Sequence, residues 1–113
     1  MTDVKIRLIT DRDRIRDAFK DLRKLGYFAR MNFWCCQTCA WYAVPEDKAD
    51  KVVFFHHQDA DSFDENGNLK QEMYLTWSGN PQEIIDALNN HDLIAIHNGD
   101  EYTRIMVCKT TRP

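Results

Sequence analysis

The sequence predicts an α+β fold: a mostly antiparallel sheet with two helices packed on it, in the order α-β-β-β-β-α-β-β. Three observations predict this. Two segments, near 10–26 and 79–92, place apolar residues at helical spacing between a capping residue and a stop signal. Several short segments between and after them are rich in β-branched and aromatic residues. The links joining those segments are short and polar, so hairpin connections should dominate. At 113 residues, residues 1–113 fit one domain, since domains commonly run about 100–150 residues.

The first helix is "TDRDRIRDAFKDLRKLGY". Thr10 is the expected N-cap, and Asp13, three residues on, serves as a short capping-box partner. Ile15, Phe19 and Leu22 follow i, i+4, i+7, with Ala18 and Leu25 widening the stripe. Gly26 stands where a helix ends at C′. Residues 27–44 read as two short strands, roughly 30–36 and 40–44, with a turn at Gln37-Thr38; Pro45 stops the second. "KVVFFHHQD" reads as an interior strand, because both of its faces are apolar. A loop with its turn at Asn66-Gly67 follows, then the strand "EMYLTWSG". In the second helix Asn80 is the cap, Pro81 takes N1 and Glu83 completes an Asn-x-x-Glu box. Ile84, Ile85 and Leu88 form its buried side. "LIAI", "HNGDE" and "YTRIMVCK" make a terminal hairpin.

Composition limits the function. The net charge of −3 argues against general nucleic-acid binding, which needs a basic surface to displace counterions from phosphate. The basic residues near the N-terminus alternate with aspartates, the pattern of a solvated helix face. No apolar run approaches the ~20 residues that span a bilayer, and "MTDVKIRLIT" lacks a signal-peptide core. These features predict a soluble, cytoplasmic protein with reduced thiols. Another protein is the expected partner, and a homodimer is compatible with the sequence.

The chemistry concentrates in two stretches. In "NFWCCQTCAW", Cys36-Gln37-Thr38-Cys39 is a CxxC at an expected strand–turn–strand, the geometry of a zinc knuckle. A structural zinc site needs four ligands, and His56 or His57 from "FFHHQD" are the candidates to join Cys36 and Cys39. Cys35 and Cys36 are adjacent in an expected strand, which would point them to opposite faces. A thiol–disulfide pair wants a CxxC that opens a helix, whereas "AWYAVP" reads as a strand. Alternatively, Cys36 or Cys39 is a nucleophile with His56 as base and Asp59 orienting it. A fourth possibility is that the cysteines are small apolar residues of an aromatic core. The acidic loop from Asp59 onward fits no EF-hand register: counting from Asp59, position 5 is Phe63 and position 6 is Asp64.

Taken together, "FWCCQTCAW", "VVFFHHQDAD" and "MYLTWSG" resemble an uncharacterised bacterial family, a domain of unknown function. Its pattern is Cys-Cys-Gln-x-Cys, then His-x-Gln-Asp, then Tyr-Leu-x-Tyr/Trp-x-Gly. The resemblance spans roughly residues 26–107. It singles out Cys35, Cys36, Gln37, Cys39, His56, Gln58 and Asp59, and it implies no particular activity. Three functions stay open: a binding domain with a zinc-knuckle-like site, a cysteine–histidine enzyme, and an inhibitor or adaptor acting through a surface without site chemistry.

Overall fold

The computed structural model describes residues 9–100 and 103–108. Four α-helices and a five-stranded mixed sheet form an α+β structure among these residues. Helix α1 spans Asp11–Lys24 and is framed as its sequence predicts. Thr10 Oγ1 accepts the Asp13 N–H at 3.1 Å, and the Asp13 carboxylate accepts the Thr10 N–H at 3.2 Å. At the other end Gly26 has φ +96°, and the amides of Gly26 and Tyr27 donate back to Arg23 and Leu22, both at 3.0 Å. That is the paired closure of a Schellman motif, which needs a left-handed residue at C′. Ile15, Ala18, Phe19 and Leu22 are fully buried, whereas Leu25, the C-cap, is half exposed and leaves the predicted stripe.

Strand β1 (Phe28–Arg30) pairs in parallel with β2 (Val52–Phe54). The antiparallel part follows: β2 with β3 (Met73–Ser78), β3 with β5 (Ile105–Cys108), and β5 with β4 (Ile94–Ile96). The sheet order is β1-β2-β3-β5-β4. The terminal hairpin forms as expected; Tyr102 and Lys109 of its predicted second strand lie outside the described residues.

The stretch between β1 and β2 departs from the sequence reading. The predicted strand over 40–44 is instead helix α2, Gln37–Ala43, and the predicted strand over 30–36 shortens and shifts to Phe28–Arg30. The reason is topological. A two-residue turn can join antiparallel neighbours, but parallel neighbours need a crossover, usually helical. Residues 31–51 make that crossover, and α2 lies within it. The third predicted strand also ends early: after Phe54 the chain turns into α3, His57–Ala60.

The two sides of the sheet are covered by different helices. In β2, Val53 faces a large core shared with α1 and with α4 (Pro81–Asn89), whereas Val52 and Phe54 face a smaller one with Ala40 and Val44 of the α2 segment. Strand pleating produces this split, because alternate residues point to opposite faces. The Asn80 cap of α4 forms, with Oδ1 accepting the Gln82 N–H at 2.9 Å. The Asn80–Glu83 box does not close directly. The Tyr27 hydroxyl stands between them, accepting the Asn80 N–H at 3.1 Å and donating to Glu83 Oε1 at 2.9 Å. The loop after α3 is a structural clamp: the Asp11 carboxylate accepts the Leu69 N–H at 2.8 Å, and the Arg12 amide donates to Gly67 at 2.9 Å.

Candidate metal centre

Residues 31–36 form an irregular segment that rises from the end of β1 and enters α2. Asn32 and Trp34 adopt positive φ, +49° and +63°, a backbone region that asparagine enters readily but that is costly for a bulky residue such as Trp34 and sustained there only where the surroundings impose it. Here the tethers are backbone bonds to the end of β2. Phe33 N–H donates to Phe55 O at 2.8 Å, and His57 N–H donates to Trp34 O at 2.9 Å. The aromatic residues around the cysteines then divide by role. Phe33 and Trp41 turn inward, each with its ring centroid 5.6 Å from that of Phe54. Trp34 and Tyr42 turn outward, 52% and 88% exposed. With Cys39 and Ala43 they line an open depression of about 250 Å3.

This backbone brings three thiols together. The sulfurs of Cys35, Cys36 and Cys39 all lie within 4.8 Å of one another, and those of Cys35 and Cys36 are 3.9 Å apart. The expectation that Cys35 and Cys36 point to opposite faces is therefore corrected, because neither residue is in a strand. Nor are the cysteines core packing: Cys35 and Cys39 are exposed, and Cys36 and Cys108 are partly so. Cys36 is the N-cap of α2 in extended conformation, and Cys39 is its N3 residue. The CxxC thus opens a helix, the setting a thiol–disulfide pair needs, and the expected strand after it is corrected.

The three thiols are electrostatically unequal. The Cys36 thiol is held below its ordinary value, first by the Cys39 backbone N–H and then by the Cys39 thiol, with smaller help from Cys35 and the Thr38 amide. Those amides approach the sulfur without closing a regular capping hydrogen bond. The Cys39 thiol is pushed up to about 11, because its proton is held between the sulfurs of Cys35 and Cys36 and their charge opposes a second thiolate.

The histidines lie alongside and serve other contacts. His56 is buried and caps α3: its Nδ1 accepts the Asp59 N–H at 3.3 Å, and its Nε2 lies 3.2 Å from Asp59 Oδ2. As the acceptor of an N–H, Nδ1 carries no proton, so the ring's proton is on Nε2. Asp59 also accepts from Arg104, which holds the Tyr74 carbonyl at 2.6 Å. The histidine–aspartate half of a nucleophile–base arrangement is therefore built, but no hydrogen bond joins it to a thiol among the described residues. His57 is exposed, and its Nδ1 meets Asn32 Oδ1. Neither histidine belongs to the mutually close ligand set. Of the other motif positions, Gln37 begins α2 and Gln58 is exposed in α3. Asn32, Trp34 and Tyr42 were not singled out by the sequence, since polar and aromatic residues in a flank carry no spacing signal.

The fold and the cluster define an α+β protein that presents three adjacent thiols beside an exposed aromatic pair. The chain belongs to the family described as a domain of unknown function, DUF6891, which it matches over residues 7–111. No curated protein and no solved structure matches it. Among the described residues, no helix is long and apolar enough to cross a membrane.

Proposed function

We propose that this protein is a binding domain that holds a thiophilic metal ion, zinc being the candidate, through Cys35, Cys36 and Cys39. One observation carries the reading: the three sulfurs are mutually within 4.8 Å. Tetrahedral zinc with Zn–S near 2.3 Å places its sulfurs about 3.8 Å apart. The Cys35–Cys36 separation of 3.9 Å already fits, and Cys39 needs only a small inward rotation. Three thiolates leave one position to fill. His57 is this chain's candidate for it, since its Nε2 has no hydrogen bond among the described residues and its amide holds the carbonyl next to Cys35. His56 is less suited: it is buried, and its Nδ1 already accepts the Asp59 N–H. A bound ion would fix the segment carrying Trp34 against the helix carrying Tyr42. Exposed aromatic rings of this kind suit a protein partner, because aromatic residues are enriched at interfaces.

Protein purified without chelator and analysed for metal tests the proposal. About one zinc per chain is expected, with a sulfur-to-metal charge-transfer band on cobalt substitution that Cys36→Ser weakens. Less than about 0.2 zinc per chain, with no band on adding cobalt to the reduced protein, would overturn it. His57→Ala should weaken zinc binding if His57 is the fourth ligand, and should leave affinity unchanged if that ligand comes from elsewhere.

A further inference from the structure

We infer that Cys36 and Cys39 form a reversible disulfide by exchange with a low-molecular-weight disulfide, so that oxidation and metal occupancy of the cluster exclude each other. The exclusion rests on the metal reading above; the exchange itself does not.

The geometry selects this pair. Cys36 is the N-cap and Cys39 the N3 residue of α2. These two positions face each other across the first helical turn, which is why a capping box joins them. Their sulfurs are already within 4.8 Å. Closing to the roughly 2 Å of a disulfide asks for side-chain rotation and leaves the helix wound. Cys35 is a poorer partner for Cys36 despite its 3.9 Å sulfur separation. Neighbouring Cα atoms are about 3.8 Å apart, below the roughly 4.4–6.8 Å span that disulfides prefer. Access is open as well: Cys36 is partly exposed, and its neighbour Cys39 is exposed and lines the depression beside Trp34 and Tyr42.

The step balances as an ordinary exchange. The Cys36 thiolate attacks one sulfur of the disulfide RSSR; a Cys36–SR bond forms, the RS–SR bond breaks and RS⁻ leaves. Cys39 gives its proton to solvent and its thiolate attacks Cys36 Sγ. The Cys36–Cys39 bond forms, the Cys36–SR bond breaks and a second RS⁻ leaves. The two cysteine sulfurs lose two electrons in total, and RSSR gains them to become two thiols. The product has withdrawn two of the three sulfurs that would hold a metal.

The test equilibrates the reduced, zinc-free full chain in glutathione buffers of stepped thiol-to-disulfide ratio, followed by acid quenching, alkylation and peptide mapping. One intramolecular bridge, Cys36 to Cys39, is expected in the unmodified chain and in the Cys35→Ser and Cys108→Ser variants. Cys39→Ser should instead accumulate a glutathione mixed disulfide on Cys36. Absence of any bridge even in glutathione disulfide alone, or a bridge that uses Cys35 or Cys108, would overturn the inference. Zinc titration of the reduced and bridged forms separates it from the metal reading. Loss of zinc binding on bridging supports the exclusion, and equal binding by both forms overturns it. A reduced chain that bridges but does not bind zinc overturns the metal reading and the exclusion while the exchange stands.

Discussion

The His57 amide donates to the Trp34 carbonyl at 2.9 Å, so the end of the histidine-bearing segment holds the residue that precedes the cysteine cluster. With the Phe33–Phe55 bond beside it, this link makes the two motifs neighbours although some twenty residues of crossover separate them in sequence. If the cluster holds zinc as proposed, zinc at about a hundred times its Kd would add about 2.7 kcal/mol against any opening that breaks its site. Hydrogen exchange at His57 and Ala40 in the reduced chain should then slow by about a hundredfold. Mass-spectrometric or NMR exchange with and without zinc checks this. Slowing at Ala40 alone would mean that the two motifs open separately.

Phe54 is fully buried, with Phe33 and Trp41 both at 5.6 Å. Phe54→Ala should cost about 3–5 kcal/mol, the usual range for a buried aromatic truncated to alanine. It also removes the floor on which α2 rests. Urea unfolding should show the stability loss, and Cys35 and Cys39 should be alkylated faster under native conditions. Native-like thiol rates in a folded Phe54→Ala variant would show that α2 does not depend on this contact.

Burial lowers the pKa of His56 from 6.5, and Arg104 and His57 act in the same direction; Asp59 opposes them. The folded state therefore binds this proton less readily than the unfolded chain. Its contribution to stability is complete above about pH 6.5 and is lost as pH falls from there through the folded pKa. His56→Asn keeps a good cap acceptor and removes the titrating ring. Its unfolding free energy should vary less between about pH 5 and 6.5 than that of the unmodified chain, as urea titrations across the range would show.

Asp59 caps the His56 amide, takes a charge-assisted bond from Arg104 and lies 3.2 Å from His56 Nε2. Asp59→Ala removes a cap worth ~1 kcal/mol and a charged hydrogen bond worth ~1.5–3 kcal/mol, the latter reduced because Arg104 is partly exposed. A loss of about 2 kcal/mol is expected in denaturant unfolding, with Asp59→Asn losing less. A loss below about 0.5 kcal/mol would show that the cluster is dispensable for the fold.

Some elements are determined by sequence alone because every local signal agrees. Helix α1 has its cap, its box, an apolar stripe from Ile15 to Leu22 and a glycine at C′, and it forms with those bounds. Asn80 and Pro81 start α4 in the same way, and the residues of β3 match its predicted strand. The proximity of Cys36 and Cys39 was also legible, since an i, i+3 spacing brings side chains together in a turn or in a helix.

Tertiary structure decided the rest. "QTCAWYAV" has no charge pattern and mixes helix-favouring alanine with aromatic and β-branched residues, so local preference is balanced. The parallel pairing of β1 with β2 breaks the tie. It demands a crossover, and a helix there buries Ala40 and Val44 on Val52 and Phe54. The place of Cys35 follows from the same event. Once residues 31–36 are an irregular segment tied to Phe55 and His57, adjacent cysteines need not point apart. Side-chain periodicity is a property of a regular strand, and no local pattern announces where a distant strand will pull the chain out of one.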